Sequence, residues 1–213
     1  NSFLWSRLFL AKGKEYGEFI YLDTFLFKNS IDCEGNFEDR YFTGHGRHLT
    51  KNEREIVHFV PTLFGVTYPR DYIKVMRRVS RSKAKFVVKE RCLTMLDYIY
   101  AITYSIIIPF GINFVPTFRG YNVDKIVRRE VLLDVASPAL FRALCQYRFI
   151  RRLAKNNEKI LGVVNWFENQ VQDRALNLSI KKHYPDVIVK GYQGFMPIKH
   201  YASLQPQSYE LSL

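Results

Sequence analysis

The order of elements in this chain can be read outward from "KILGVVNWFENQ", Lys159 to Gln170. Its first eight residues, 159–166, form a β-branched apolar run of the kind a buried strand requires. "NQVQDRALNLSIKKHY" (169–184) follows at helical period, with Val171, Ala175 and Leu178 expected on its inner face. Pro185 stops it, and "DVIVKGYQ" (186–193) is the next strand. A strand–helix–strand unit over 159–193 has the length of a right-handed βαβ crossover, so its strands should run parallel. If they are neighbours, about 4.8 Å apart, the loops "FENQ" and "YQGF" lie side by side at the carboxyl edge.

Upstream, Ser137-Pro138 is a helix start: a serine cap, then a proline where no N–H is needed. Leu140, Leu144, Tyr147, Ile150 and Leu153 recur at helical spacing, and the helix should end near Asn156-Asn157. Asn122 is placed to cap a helix over 123–134, after a loop over 109–122. "RCLTMLDYIYAITYSIII" (91–108) predicts a helix that is apolar nearly all round and therefore buried. "AKFVVKE" (84–90) reads as a short strand. "YPRDYIKVMRRVSRSK" (68–83) reads as a helix with Tyr72, Val75, Met76 and Val79 inward and arginines outward. "EIVHFVPTLF" (55–64) predicts a strand that Pro61 ends near Val60. "EFIYLDTFLF" (18–27) is the first strand, followed by a polar, turn-rich stretch. This alternation implies one α/β domain over 1–213, a Rossmann-like three-layer sandwich with a mostly parallel sheet.

The 213 residues suffice for a substantial core, and 47% hydrophobic with 15% aromatic content excludes a disordered chain. The formal charge is +12, and Arg70 to Arg91 carries nine basic against two acidic residues, +7 of that total. Such a field favours anionic partners: phosphorylated sugars, an anionic membrane face or nucleic acid. Cys33, Cys92 and Cys145 show no metal spacing and are expected to be reduced and buried. The apolar run near Tyr98–Gly111 is too short to span a bilayer. A start at Asn1 and an end at "SYELSL" are expected of a piece of a longer protein.

The carboxyl edge is where chemistry should gather. Glu168 is either a complement to the dipole of the helix behind it or a general base for a hydroxyl group. Asn169 and Gln170 open that helix, where free N–H groups attract anions. Gly191 and Gly194 permit a tight turn around Tyr192 and Gln193. The strand over 84–88 would deliver Lys89, Glu90 and Arg91 to the same edge, the strand over 55–60 Pro61 and Thr62, and the first strand Asp23. His45 and His48 in "TGHGRHLT" fit a phosphate- or sugar-gripping loop better than a metal site, for want of a third ligand at a usual spacing. "QYRFIRR" (146–152) interleaves aromatics with bases, but helical spacing explains the aromatics as core, and no specific nucleic acid partner is expected.

"VVNWFENQVQDRALNLSIKKHYPDVIVKGYQGFM" resembles the bacterial surface carbohydrate biosynthesis proteins, which are related to capsule and lipopolysaccharide glycosyltransferases. Their pattern of aromatic-Glu-x-Gln after a strand, a helix behind it and a strand closing on Gly-Tyr-Gln falls on Phe167-Glu168-Asn169-Gln170, Asp173-Arg174 and Gly191-Tyr192-Gln193. Relatives often carry His after Gly-Tyr-Gln, where this chain has Gly194. The match covers roughly 85–210. It implies the acceptor-side, N-terminal half of a GT-B enzyme, cytoplasmic and peripheral at the inner membrane, acting on a glycan or glycolipid acceptor. Glu168 would be the catalytic residue, and Gln170, Tyr192, Gln193, Gly194, Lys89, Glu90, Arg91 and His45 would bind substrate. No cofactor is expected in this chain; a nucleotide sugar donor would bind a missing C-terminal domain, and the fragment alone would be inactive. The rival readings are a non-catalytic anion-binding module and a teichoic-acid-type glycerophosphotransferase using His45.

Overall fold

The protein is described here from a computed structural model covering residues 16–66, 68–111, 117–135 and 137–193, without the side chains of residues 45 and 46. Its elements in chain order are β1 (Glu18–Phe27), α1 (His45–His48), α2 (Lys51–Ile56), β2 (Val57–Phe64), α3 (Pro69–Arg81), β3 (Lys85–Phe86), α4 (Lys89–Cys92), α5 (Met95–Ile107), a 3-10 turn (Ile108–Gly111), β4 (Thr117–Phe118), β5 (Tyr121–Asn122), α6 (Asp124–Asp134), α7 (Pro138–Lys155), β6 (Lys159–Trp166), α8 (Val171–His183) and β7 (Val189–Tyr192). Five strands form one parallel sheet in the order β3-β2-β1-β6-β7; β4 and β5 form a separate antiparallel hairpin.

The period of two in β1 divides the core. Phe19 and Tyr21 meet Phe149, Ile150 and Leu153 of α7 and Leu176 and Ile180 of α8 on one face. Leu22 joins Val57 and Phe59 on the other, and Leu26 joins Tyr72, Val75 and Met76 of α3 there. Helices on both faces of a parallel sheet make the Rossmann-like three-layer sandwich that the alternation of elements implies. The βαβ unit over 159–193 is present, with β6 and β7 as parallel neighbours paired from Val163↔Val189 to Trp166↔Tyr192.

Several local expectations are corrected. β2 runs through Pro61 to Phe64 instead of ending near Val60. The carbonyl of Phe59 accepts from Val87, so odd-numbered residues of β2 turn their amides towards β3. That strand pairs only at His58↔Lys85 and Phe59↔Phe86, so Pro61 lies on a bare edge where no donor is missed. The stretch over 84–90 supplies only a two-residue strand before α4 begins. On α8 the buried face is Asp173, Leu176, Ser179 and Ile180, while Val171 and Leu178 face solvent, because the helix packs against α7 as well as the sheet. On α7 it is Ala143, Gln146, Phe149, Ile150 and Leu153, rotated from the stripe through Leu140, Leu144 and Tyr147. Cys33 is exposed, and Cys92 and Cys145 are half-buried. No helix among the described residues is long and apolar enough to cross a membrane.

Helix α5 is the largest departure. It is not buried all round: only Asp97, Ala101 and Ser105, on the face towards α7, are enclosed. Asp97 fixes that contact. Its carboxylate accepts from Arg148 at 2.6 Å, from Arg152 Nε at 2.7 Å, and from both the amide and the hydroxyl of Thr94 at 2.8 Å. Burial pushes the Asp97 carboxyl up, but the bonds from Arg152, Thr94 and Arg148 outweigh it and hold the group at about 2.

Removing one partner of a buried ion network leaves the others uncompensated, so Asp97→Ala should cost about 3 kcal/mol in urea unfolding. The depressed folded value means the wild-type contribution is present above the unfolded value of 3.8 and lost as pH falls through about 2. The stability gap between wild type and Asp97→Ala should therefore narrow across that interval, and an unchanged gap would contradict the assignment.

Candidate functional site

The site forms where β1 and β6 part. They pair up to Leu22↔Val164 and no further. Beyond that point β1 follows β2 to Phe27↔Phe64, while β6 follows β7 to Trp166↔Tyr192. In chain order the sheet reads third, second, first, fourth, fifth strand, so this parting is the topological switch point, where open α/β sheets bind ligands. A cleft of about 380 Å³ lies there. Its walls come from β1 (Asp23), β2 (Thr62), the start of α4 (Lys89), α7 (Arg142, Gln146), the end of β6 (Trp166) and the segment after it (Glu168, Gln170).

Glu168 does not cap its helix. The helix starts with a capping box in which Gln170 is the cap residue and Asp173 reaches back: the Asp173 Oδ2 accepts from the amides of Gln170 at 2.9 Å and of Glu168 at 3.0 Å. The amides expected to draw an anion to the start of α8 are thus partly satisfied from within, and Asp173 is buried rather than solvated. Asn169, at φ 55, makes the turn before the helix, and its side-chain carbonyl accepts from Arg174. The Glu168 side chain is left to face the cleft, where it accepts from the Trp166 indole N–H at 2.7 Å and from the Gln170 amide. Two donors, one from the end of β6 and one from the start of α8, therefore hold this carboxylate in place.

Across the cleft, Asp23 has Lys89 Nζ at 3.9 Å, and both side chains are 16% exposed. Lys89 donates to Thr62 Oγ1 at 2.9 Å. Burial pushes the Asp23 carboxyl up; Lys89 pulls it back, Asp173 and Asp39 push it further, and it titrates at about 6. On the same face of β1, the buried hydroxyl of Tyr21 accepts from Gln146 Nε2 at 3.0 Å, which ties α7 to the cleft floor. On the opposite face Asp39 accepts from Thr24 and from the amides of Tyr41 and Phe42, bringing the Tyr41 ring to 4.4 Å from Trp166.

Of the residues singled out in the sequence, Glu168, Gln170, Lys89, Asp23 and Thr62 line this cleft. Tyr192 does not; it packs on Trp166 and Phe42 and so braces the wall from behind. Gln193 is exposed at the end of β7 and is not part of the lining. Glu90 faces an adjoining hollow with Tyr98 and Cys145, and burial raises its carboxyl. Arg91 lines neither space. Gly194 and the His45 side chain lie outside the described residues. Gly191 is required for packing: a Cβ there would come within 2.9 Å of Phe167 Cβ. Arg142 and Gln146 were missed, although two polar residues four apart in a mainly apolar helix signal a polar lining. Nothing in the sequence around Tyr41 marks it.

A carbon-detected NMR titration of the carboxyl groups should place Asp23 at about 6. Lys89→Met removes the cation that favours the ionised form, so the midpoint should move upward. A midpoint in the ordinary aspartate range would refute this geometry. No family model matches the chain, and neither a characterised protein nor a solved structure was found to be similar to it.

Proposed function

We propose that this chain is the acceptor-side domain of a glycosyltransferase-like enzyme of surface polysaccharide biosynthesis, and that the cleft at the β1/β6 parting receives the acceptor sugar. The observation that carries this reading is the pair of unlike carboxylates facing one cleft. Glu168 is immobilised by two donors, whereas Asp23 has a raised carboxyl and no hydrogen bond to that group among the described residues.

Sugar transfer needs a base for the acceptor hydroxyl. As the hydroxyl oxygen bonds to the donor's anomeric carbon, the bond from that carbon to the leaving phosphate breaks, and the hydroxyl proton passes to a carboxylate. Asp23 fits that task, since its carboxyl lies within a unit of neutral pH. Glu168, with its geometry locked, suits an acceptor for a second hydroxyl and so positions the sugar. Trp166, Tyr41 and Phe25 supply the apolar faces that such sites combine with a few polar groups.

The lining also weighs against the rivals. Asp23, Glu168 and Asp173 face only Lys89 and Arg142, so the cleft does not favour a strongly anionic ligand. A neutral, hydroxylated ligand suits it better than a free phosphate or a nucleic acid strand.

The Trp166 indole N–H, bonded to Glu168, is a built-in reporter. Titration of the chain with neutral mono- and oligosaccharides should shift its proton–nitrogen signal. Glu168→Gln should weaken that binding roughly tenfold, the scale of one hydrogen bond to a charged group. If no saccharide moves the signal while nucleoside-diphosphate glycerol does, the glycerophosphotransferase reading replaces this one.

A further inference from the structure

Helix α5 exposes an apolar ridge to solvent. Met95, Leu96, Ile99, Ile102, Ile106 and Ile107 are each 48–68% exposed on the side away from α7. Its one charged residue, Asp97, points inward, so the solvent-facing side carries no charge at all. A helix on the surface of a water-soluble domain normally presents charge there. The ridge continues into the 3-10 turn, where Phe110 is 80% exposed. Helix α6 packs beside that turn and mixes exposed Ile126, Leu132 and Leu133 with exposed Lys125 and Arg129.

We infer that this face docks on the surface of an anionic lipid bilayer. The charge balance selects that occupant. From Leu93 to Lys155 there are nine basic residues against four acidic; Asp97 and its partners Arg148 and Arg152 are engaged with one another, which leaves seven basic against three acidic. A second copy of the chain is disfavoured, because a two-fold contact sets each surface patch against itself, cation facing cation, in a molecule of charge +12. A bilayer accepts isoleucines into its interface and lysines and arginines among anionic headgroups. At 13 residues, α5 is about 20 Å long against a hydrocarbon core of about 30 Å, so it lies on the membrane and does not cross it. The basic run from Arg70 to Arg91, which drew attention in the sequence, is a different surface, carried largely by α3 and the segment after it.

The inference stands on α5 and α6 and does not depend on the acceptor reading. Its bearing on that reading lies in α7, which supports α5 and also sends Arg142 and Gln146 into the cleft. Docking would bring the cleft near the lipid surface, where a lipid-linked acceptor resides.

Flotation of the full chain with vesicles tests this. The chain should float with equimolar phosphatidylcholine and phosphatidylglycerol, and much less with phosphatidylcholine alone. Ile99→Asn with Ile106→Asn, both at solvent-facing positions, should reduce flotation roughly tenfold. Lys125→Glu with Arg129→Glu should abolish the preference for anionic vesicles. If the asparagine variant loses its circular dichroism spectrum, a polarity-sensitive fluorophore on Ile102→Cys replaces it. Vesicles should then shift its emission to the blue relative to the unsubstituted chain labelled in the same way. The inference is overturned if the wild type stays unbound with both vesicle types, if the asparagine variant floats like the wild type, or if the Ile102 probe does not respond. A lipid-free dimer that the asparagine variant dissolves would overturn it in favour of a second copy.

Discussion

Strand β1 lends its two edges to different neighbours for different lengths, and the molecule is organised around that inequality. It stays with β2 to its last residue and leaves β6 after Leu22. Parallel strands cannot be joined by a tight turn, so each crossover must carry a helix, and helices on both faces force the order of strands to reverse somewhere. Here it reverses between β1 and β6. The cleft is the space left when the two strands diverge, and Asp23 is the first β1 residue past the divergence. Large aromatic side chains anchor the strand that must hold this geometry: Phe19 and Tyr21 are fully enclosed, and the Tyr21 hydroxyl is satisfied by Gln146.

The electrostatics of the cleft follow from that placement. Two opposite charges about 4 Å apart attract by about 4 kcal/mol at an effective dielectric of 20. Lys89 stands at that distance from Asp23 and still does not restore an ordinary aspartate. Loss of water and the nearby carboxylates of Asp173 and Asp39 outweigh it. Glu168, a short distance away, is fixed in place by an indole and an amide that donate to it. Two carboxylates facing one space thus have different surroundings: Asp23 is desolvated beside Lys89, and Glu168 is held by two donors.

The apolar helix 95–107 shows how composition and burial separate. A helix without surface charge is ordinarily a core helix. This one is attached to the domain along one face, through Asp97 and the two arginines of α7 together with Ala101, Ser105 and the Tyr98 ring, and the opposite face is open. The ion network adds to the packing of Ala101 and Tyr98 on that one face, so the apolar side chains of the other face remain available.

Strand and helix periods by themselves determined the α/β class, the parallel pair flanking α8, the capping of α7 by Ser137 and the gathering of Glu168, Gln170 and Lys89 at one edge. These depend on contacts between residues near in sequence or on rules of chain connection that hold for any such sequence. Only the tertiary structure decided that Asp23 is the perturbed carboxyl, that Arg142 and Gln146 reach the cleft, and which side of α5 is covered. Each of those depends on which atoms from distant parts of the chain arrive together, and on the water they displace. A burial penalty or a hydrogen bond is a property of an assembled neighbourhood, and a linear pattern does not contain it.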